Sequence, residues 1–547
     1  MLTLPAPASA RRTLRPLLLA AAMTAVSTLA AAAEPKEPAD ILIKGGTIYD
    51  GSDAKPYVGD VALRGDQIVY VGKATKLAAR RIVNAKGMIV SPGFIDAHTH
   101  ADSFIRSPDK SVRVNAAWLD QGASTVMIGV DGYGTPDIAA DTSKLINAGI
   151  GTNIVPFIGF GSIRKRVLGD DARAPNAAEL ASEKALAAKG MCEGAVGLST
   201  GLFYPPQSFA KTEEVIAVAR EVAKRGGLYD THQRDESSYN IGLLGSVKEV
   251  IRIGREADMP IHFAHLKALG VDVQGQAPAV IAEIEAARAS GLDVTADQYP
   301  WLASGTSVDA SLLPGWSVDG GAKALLARLD DAPTQARIRT EMVENMRRRG
   351  GPSALLLISP NYPWTGKTLA EIATDWKVDP IETALRIIRQ SAEKEAAGGE
   401  GGGTGAASFN MAQADVDLFM KQPWMVTSSD GSEGHPRMFA TFPEKYVKYV
   451  RDRKVIDLQT FIRQSTGRTA DIYKLDRRGY LRPGYYADVL VFDPAKYEPR
   501  AGYIHPRELS VGVKALFVNG ELSVENSQTT GALAGRALLR AKPAGCS

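Results

Sequence analysis

Cysteine and histidine are scarce in this chain, 2 and 7 among 547 residues. With only Cys192 and Cys546, the sequence dispenses with the disulfide framework that staples small secreted domains. Cys546, next to last, reads as exposed or frayed, and Cys192 as a small packing residue rather than a nucleophile. Excess charge is missing too. Lys and Arg number 64 against 61 Asp and Glu, and the first 33 residues hold Arg11, Arg12, Arg15 and no acid. Beyond residue 33 the balance is therefore 61 to 61 (64 less those three arginines). Nucleic acid needs a concentrated basic footprint, so it is excluded as a partner. A strongly apolar run of about 20 residues, the length of a membrane span, is absent as well. The stretch Pro16 to Ala33 is alanine-rich and weakly hydrophobic, follows the arginines and closes on Ala31-Ala32-Ala33. It reads as a cleavable export signal over residues 1–33. The expectation is an exported chain in a bacterial periplasm, by the Sec route or, given Arg11-Arg12, the twin-arginine route. No stable membrane span is expected after signal removal, and the sequence sets no oligomeric state.

What is present is ordinary globular composition, 45% hydrophobic and 23% charged, over enough residues for more than one domain. ILIKGGTIYDG, DVALRGDQIVYVG and RIVNAKGMIV alternate apolar residues with turn residues, and so do GYYADVLVFD and VKALFVNGELS near the end. Residues 34–90 and 476–547 thus predict one small β-sandwich domain built from both chain ends. Between them, strand-like MIVSPGFIDAHTH, STVMIGVD, NIVPFIG, GAVGLST, GGLYDTH, MPIHFAHLK, LDVTADQYP and PWMVTSSD alternate with amphipathic helices such as TEEVIAVAREVAKRGG. This is the pattern of a (β/α)8 TIM-type barrel over residues 91–475. A doubly wound sheet is the alternative, but no glycine-rich phosphate loop follows the first strand. An inserted subdomain is expected at about 302–360, after strand seven. The glycine-rich Ala396–Ser408 reads as a flexible loop.

PGFIDAHTH places His98 and His100 one residue apart where an apolar run ends. Residues i and i+2 of a strand share a face, about 7 Å apart, and two such imidazoles can close on one metal ion. Alone, the pair also fits a solvated turn. Position decides between these readings: Asp131 ends strand two, His232 strand five, His265 strand six and Asp430 strand eight. In a barrel those ends meet at one rim, so the six residues are expected to form a metal site. Nitrogen and oxygen donors without thiolate suit zinc or another divalent transition metal. His262, three before His265, reads as packing; His505 as structural; His435 as structural or supporting.

PGFIDAHTH, GLSTGLFYPP, THQRDE, AHLK, DQYPW, SSDGSEGHPR with ATFP, and LRPGYYADVLVFDP together resemble the N-acyl-D-amino-acid deacylases (D-aminoacylases) of the amidohydrolase superfamily, in the family's order, from about residue 41 to 540. The resemblance implies a site of His98, His100, His232, His265 and Asp430 with one or two zinc ions. It departs at one ligand: the family's GNCG turn is GVDG here, with Asp131 in the cysteine's place, either as a harder ligand or as a turn residue only. GAVGLST offers no lysine of the kind other amidohydrolases carboxylate between two metals.

The implied chemistry is metal-assisted hydrolysis of a small-molecule N-acyl amino acid or short peptide, with Asp430 as general base and then acid. The resemblance assigns Lys267 and Arg437 to the substrate's α-carboxylate, assisted by Tyr299; the alternatives are a snorkelling Lys267 and a structural ion pair at Arg437. In the family an AGS turn follows that tyrosine, whereas the order here is Ala303-Ser304-Gly305. Two other readings stay open: a dipeptidase for D-residue-containing peptides or a cyclic amidase, and a non-catalytic metal-binding protein.

Overall fold

The computed structural model describes residues 37–399, 401–543 and 545–546; the export-signal expectation lies outside them. Eight short parallel strands form the centre: Phe94–Asp96, Ala123–Ile128, Asn153–Pro156 continued by Ile158–Gly159, Gly197–Gly201, Leu228–His232, Ile261–Phe263, Val294–Gln298 and Met425–Thr427. They pair in sequence order in two arcs. The arcs join through the third strand, where Phe157 N donates to Ile128 O and Val196 N to Pro156 O. Strands one and eight close the ring through the Thr99–Gly431 bridge and Ala97 N to Thr427 O. The fold is the expected (β/α)8 barrel.

Local chemistry explains the crossover helices. In Ala177–Cys192, Asn176 accepts from the Ala178 and Glu179 amides while Glu179 returns to the Asn176 amide, a capping box that satisfies the free donors of the first turn. Thr212–Ala223 starts with Glu213 and Glu214, favoured by the helix dipole. It buries Val215, Ile216, Val218, Ala219 and Val222 on one stripe against its neighbours. The barrel's interior is filled by Ile95, Met127, Val155, Phe157 and Val426 and plugged by Tyr473 from the helix Gly467–Tyr473.

Both chain ends form one nine-stranded sheet beside the barrel. Its seam is the antiparallel pairing of Ile89–Pro92 with Val489–Phe492, Val90 opposite Val491. Ile43, Val61, Leu63, Val489 and Phe517 share its core. Pro92 leads almost directly into the first barrel strand, so this domain fixes where His98 and His100 emerge.

Two expectations need correction. Cys192 and Cys546 are joined by a disulfide across 354 residues, with Cα atoms 5.4 Å apart. The C-terminal tail crosses the strand-start end of the barrel, Leu538 N donating to Ile154 O and Arg540 N to Gly194 O, and this brings Cys546 to the end of the helix that Cys192 terminates. The insertion, in turn, extends well past residue 360. Its three-stranded antiparallel sheet consists of Ala303–Ser307, Leu355–Leu357 and Gly405–Phe409. The last strand lies in the middle, so part of the glycine-rich stretch is ordered sheet; Ala406 and Ala407 are small enough to be fully buried between both neighbours. Helices Gly321–Asp330, Ala332–Arg348, Leu369–Trp376 and Pro380–Ala396 pack on this sheet with their own core of Leu325, Ile338, Met342, Leu355, Ile372 and Ile388.

Candidate metal centre

The loop ends of strands one and eight are interlocked by backbone bonds. Asp96, at the last residue of strand one, accepts from the Ser429 amide at 2.8 Å and from the Trp118 indole at 3.0 Å. Asp430 N donates to His98 O at 2.8 Å and His100 N to Gly431 O at 3.0 Å. His98, His100 and Asp430 are thereby set in one frame by backbone bonds and the Asp96 carboxylate. Asp131 is held differently. Gln207 packs on Gly132 so closely that a Cβ there would meet Gln207 Oε1 at 2.0 Å; its amide donates to Asp131 O at 2.9 Å and accepts from Gly201 N at 2.7 Å. Asp131, His265 and Asp430 all have positive φ, 53°, 34° and 47°. Such backbone is costly for a residue with a Cβ and collects at functional sites.

All six expected donors converge. His98 Nε2 lies 3.3 Å from Asp131 Oδ1, and His100 Nε2 lies 3.6 Å from Asp131 Oδ2 and 3.2 Å from Asp430 Oδ1. On the other side, Asp131 Oδ1 is 3.5 Å from His265 Nε2 and 3.9 Å from His232 Nδ1, and those two imidazoles are 3.1 Å apart. Three sets of mutually close donors result: His98, His100 and Asp131; Asp131, His232 and His265; His98, His265 and Asp430. Asp131 thus stands between two histidine pairs. A fourth set, His98 with Asp230 and Asp297, lies deeper. There Asp297 is already engaged, by His262 Nε2 at 3.0 Å and the His265 amide at 2.8 Å. His262 accordingly packs and orients rather than facing the rim donors.

The donor set fits a divalent transition cation. Both ring nitrogens of fully buried His98 and Oδ1 of Asp131 have no hydrogen-bond partner, and buried polar atoms without partners are costly. Burial opposes ionisation of Asp131, but His98, His265 and His232 outweigh it and hold the carboxyl well below its ordinary range. Burial likewise opposes the charge on Asp430; Arg437 and then His265 overcome it and keep that carboxylate ionised. Burial lowers His232 to about 4, leaving it neutral and able to ligate.

Sequence reasoning missed Glu236. This buried carboxylate takes the Lys267 ammonium at 2.7 Å, lies 3.2 Å from His265 Nδ1, and its other oxygen is 3.8 Å from His232 Nε2. It therefore faces the far nitrogens of two donor imidazoles, the arrangement that fixes ring orientation and tautomer around a metal. The signal was present: a ligating imidazole needs a partner for its second nitrogen, and THQRDE supplies two acids just after His232. Lys267, buried, also lies 2.7 Å from His265 Nδ1. Arg437 Nη1 is 2.7 Å from Asp430 Oδ2, yet Nη1 and Nε lack aligned hydrogen-bond partners. Gly305 makes room for this guanidinium, because a Cβ there would meet Nη2 at 2.8 Å. Tyr299 brings its ring, not its hydroxyl, to the two cations: Lys267 is 5.6 Å and Arg437 5.0 Å from its centroid, while the hydroxyl faces Met411 Sδ. Ser304 stays on the cavity wall, its buried hydroxyl unpartnered.

These groups open onto a cavity of about 910 Å³ whose far walls belong to the insertion. Divalent-metal donors at the C-terminal rim of a parallel barrel, under a deep cavity, define the metal-dependent hydrolase class. Comparison with known proteins narrows it. The Amidohydrolase family profile matches residues 81–523. The chain is 31% identical over 532 residues to a D-aminoacylase of Alcaligenes xylosoxydans xylosoxydans, covering 92% of this chain and 98% of that one. It is also 31% identical to an N-acyl-D-aspartate deacylase of the same organism, over 90% and 93% of the two chains. A solved N-acyl-D-glutamate deacylase from Bordetella bronchiseptica, complexed with zinc and a phosphonate mimic of the tetrahedral intermediate, superposes with a TM-score of 0.77 at 27% identity, covering 92% of this chain and all of that one. The chain belongs to the amidohydrolase family, in its D-aminoacylase branch.

Proposed function

We propose that this chain is a divalent-metal-dependent hydrolase that cleaves the amide bond of N-acyl-D-amino acids to a carboxylate and a free D-amino acid. The carrying observation is Asp131 set between the His98/His100 and His232/His265 pairs, facing the cavity that Arg437 and Lys267 also approach. His98, His100, Asp131, His232, His265 and Asp430 would hold one or two ions, zinc being the best match to the donors. A bound ion would supply Lewis acidity, lowering the pKa of water towards about 7 and polarising a carbonyl.

The chain's own residues do the rest. Asp430, ionised and fixed through the backbone bond to His98, accepts the proton of the attacking water. It takes that proton as the new C–O bond forms and returns it to the leaving nitrogen as the C–N bond breaks. Arg437 Nη1 lies against Asp430 Oδ2 at 2.7 Å, which leaves Nε as its donor without a partner for the substrate's α-carboxylate. Lys267 adds positive charge but is tied to Glu236, so its share of the binding is the smaller one. The D-configuration is supported by the relatives' activities. The zinc-loaded protein should cleave N-acetyl-D-leucine faster than N-acetyl-L-leucine by about 100-fold or more; equal rates would remove the D-selective reading.

Export to the periplasm belongs to the same proposal. The bond between Cys192 and Cys546 supports an oxidising compartment.

A further inference from the structure

At the end of the barrel opposite the metal donors, the chain beyond Thr529 runs as an irregular strap, and the barrel is shaped to receive it. Gly535 N donates to Ile150 O, Ile154 N to Arg536 O, Leu538 N to Ile154 O and Arg540 N to Gly194 O. Ala537 bridges Ile154 in parallel, so the strap pairs with the start of the third barrel strand. Asn519 Nδ2 holds Ala534 O at 2.7 Å, and the Arg540 guanidinium donates to the carbonyls of Val196 and Gly226. Leu538 packs on the barrel's inner cluster with Met127, Val155, Val196 and Leu228. Two contacts leave no room for a side chain. A Cβ at Gly535 would meet Thr152 O at 2.0 Å, and one at Gly194 would meet Leu539 Cβ at 2.8 Å. The strap is the floor of the barrel.

Its far end is held in another way. Among the described residues beyond Arg540 the one hydrogen bond is local, Cys546 N to Pro543 O. The return to the barrel therefore depends on the bond between Cys546 and Cys192, both half-buried and so within reach of a small thiol. We infer that the strap is a redox latch: oxidation locks the barrel floor, and reduction lets the chain end peel away while the metal donors stay in place. A dithiol reductant opens the latch in two exchange steps; the S–S bond of the protein becomes two thiols and the reductant leaves as its own disulfide. A chain end tied at both sides has little freedom, whereas one tied at a single side frays from its tip. Opening stays local because the rim has separate fastenings, such as Asp430 N to His98 O. Since Cys546 is next to last, the latch closes only on a completed chain.

The test is hydrogen–deuterium exchange and brief trypsin digestion of the zinc-loaded full chain. It is compared as oxidised protein and after dithiothreitol treatment, desalting without oxygen and reloading with zinc. Cys546→Ser serves as a second unlatched form. Reduction is expected to speed exchange at the Gly535, Leu538 and Arg540 amides about tenfold or more and to open the bonds after Arg536 and Arg540 to trypsin. The His100 and Asp430 amides should exchange as before. Equal exchange and digestion in the two states would overturn the latch, because the hydrogen bonds alone would then hold the strap. Exchange at His100 and Asp430 that quickens in step with the strap would overturn it as well, making the disulfide a staple of the whole fold. So would two titratable thiols in the untreated protein. Should Cys546→Ser not fold, reduced wild type, made from folded protein, decides alone.

Discussion

The rim of the barrel and the inserted roof face each other across one cavity and are built on opposite plans. At the rim, each chemical group stands at or just past a strand end, three of them in left-handed backbone, locked by bonds such as Asp430 N to His98 O and Gln207 to Asp131 O. The roof is made of helices and a small sheet around its own apolar core, and it meets the barrel loops through Gly320 with Asp170, Arg347 with Asp272, Ser311 and Arg349 with Tyr239, and Gly305 with Arg437. A rigid frame suits chemistry that fails with a misplacement of about 1 Å. The roof has its own core, yet it reaches the frame at Gly305, which accepts from Arg437 Nη2. The lesson is a division of labour: the rim carries the reacting groups and the roof closes the cavity over them.

Substitutions at the rim should therefore remove turnover. The largest effect is expected at Asp430. Asp430→Asn should lower kcat about 10³-fold, read by steady-state kinetics beside metal analysis; near-wild-type turnover would strip Asp430 of the proton-transfer role. Next comes Glu236→Gln, which loosens the histidines without touching the reacting atoms. Metal affinity should fall about 10- to 100-fold in a competitive chelator titration, and added zinc should restore most of the activity. Activity that zinc cannot restore would place Glu236 among the catalytic groups instead. Arg437→Met should raise KM about 10-fold or more for substrates with a free α-carboxylate and much less for their amides; equal effects on both would refute the clamp.

The smallest effect is on stability and lies behind the rim. Burial pushes the Lys445 ammonium down to about 7, where it donates to Thr427 Oγ1 and Gln464 Oε1. Its folded pKa is below that of the unfolded chain, about 10.4, so between those values the unfolded chain binds more protons. Lys445 therefore costs stability below about pH 7, and that cost is relieved as pH rises towards 10. Denaturant midpoints for wild type minus Lys445→Met should increase over that window; a flat or falling difference would show that the amine stays charged inside.

The barrel was legible in the sequence because its signals are local. Eight apolar runs identify strands, five of them ending at the expected donors, and their shared ends bring His98, His232 and Asp430 together without any knowledge of side-chain packing. What the sequence hid depends on long-range paths. Glu236 sits in a loop whose course decides that it meets Lys267 and His265. The insertion's third strand is written in Gly, Ala and Ser, which read as a loop until two neighbouring strands bury it. Cys192 and Cys546 carry no local sign of each other, since the tail's route beneath the barrel alone makes them partners. Lys267 meets His265 Nδ1 beyond the end of strand six, which stops at Phe263.

The claim beneath all of this is that one cation site draws together residues 98 to 430. Anomalous diffraction at the zinc edge from zinc-loaded crystals tests it most directly. The account predicts a peak flanked by Asp131 and by His98 with His100 or His232 with His265; zinc bound only elsewhere on the protein, with these six side chains left uncoordinated, would contradict it.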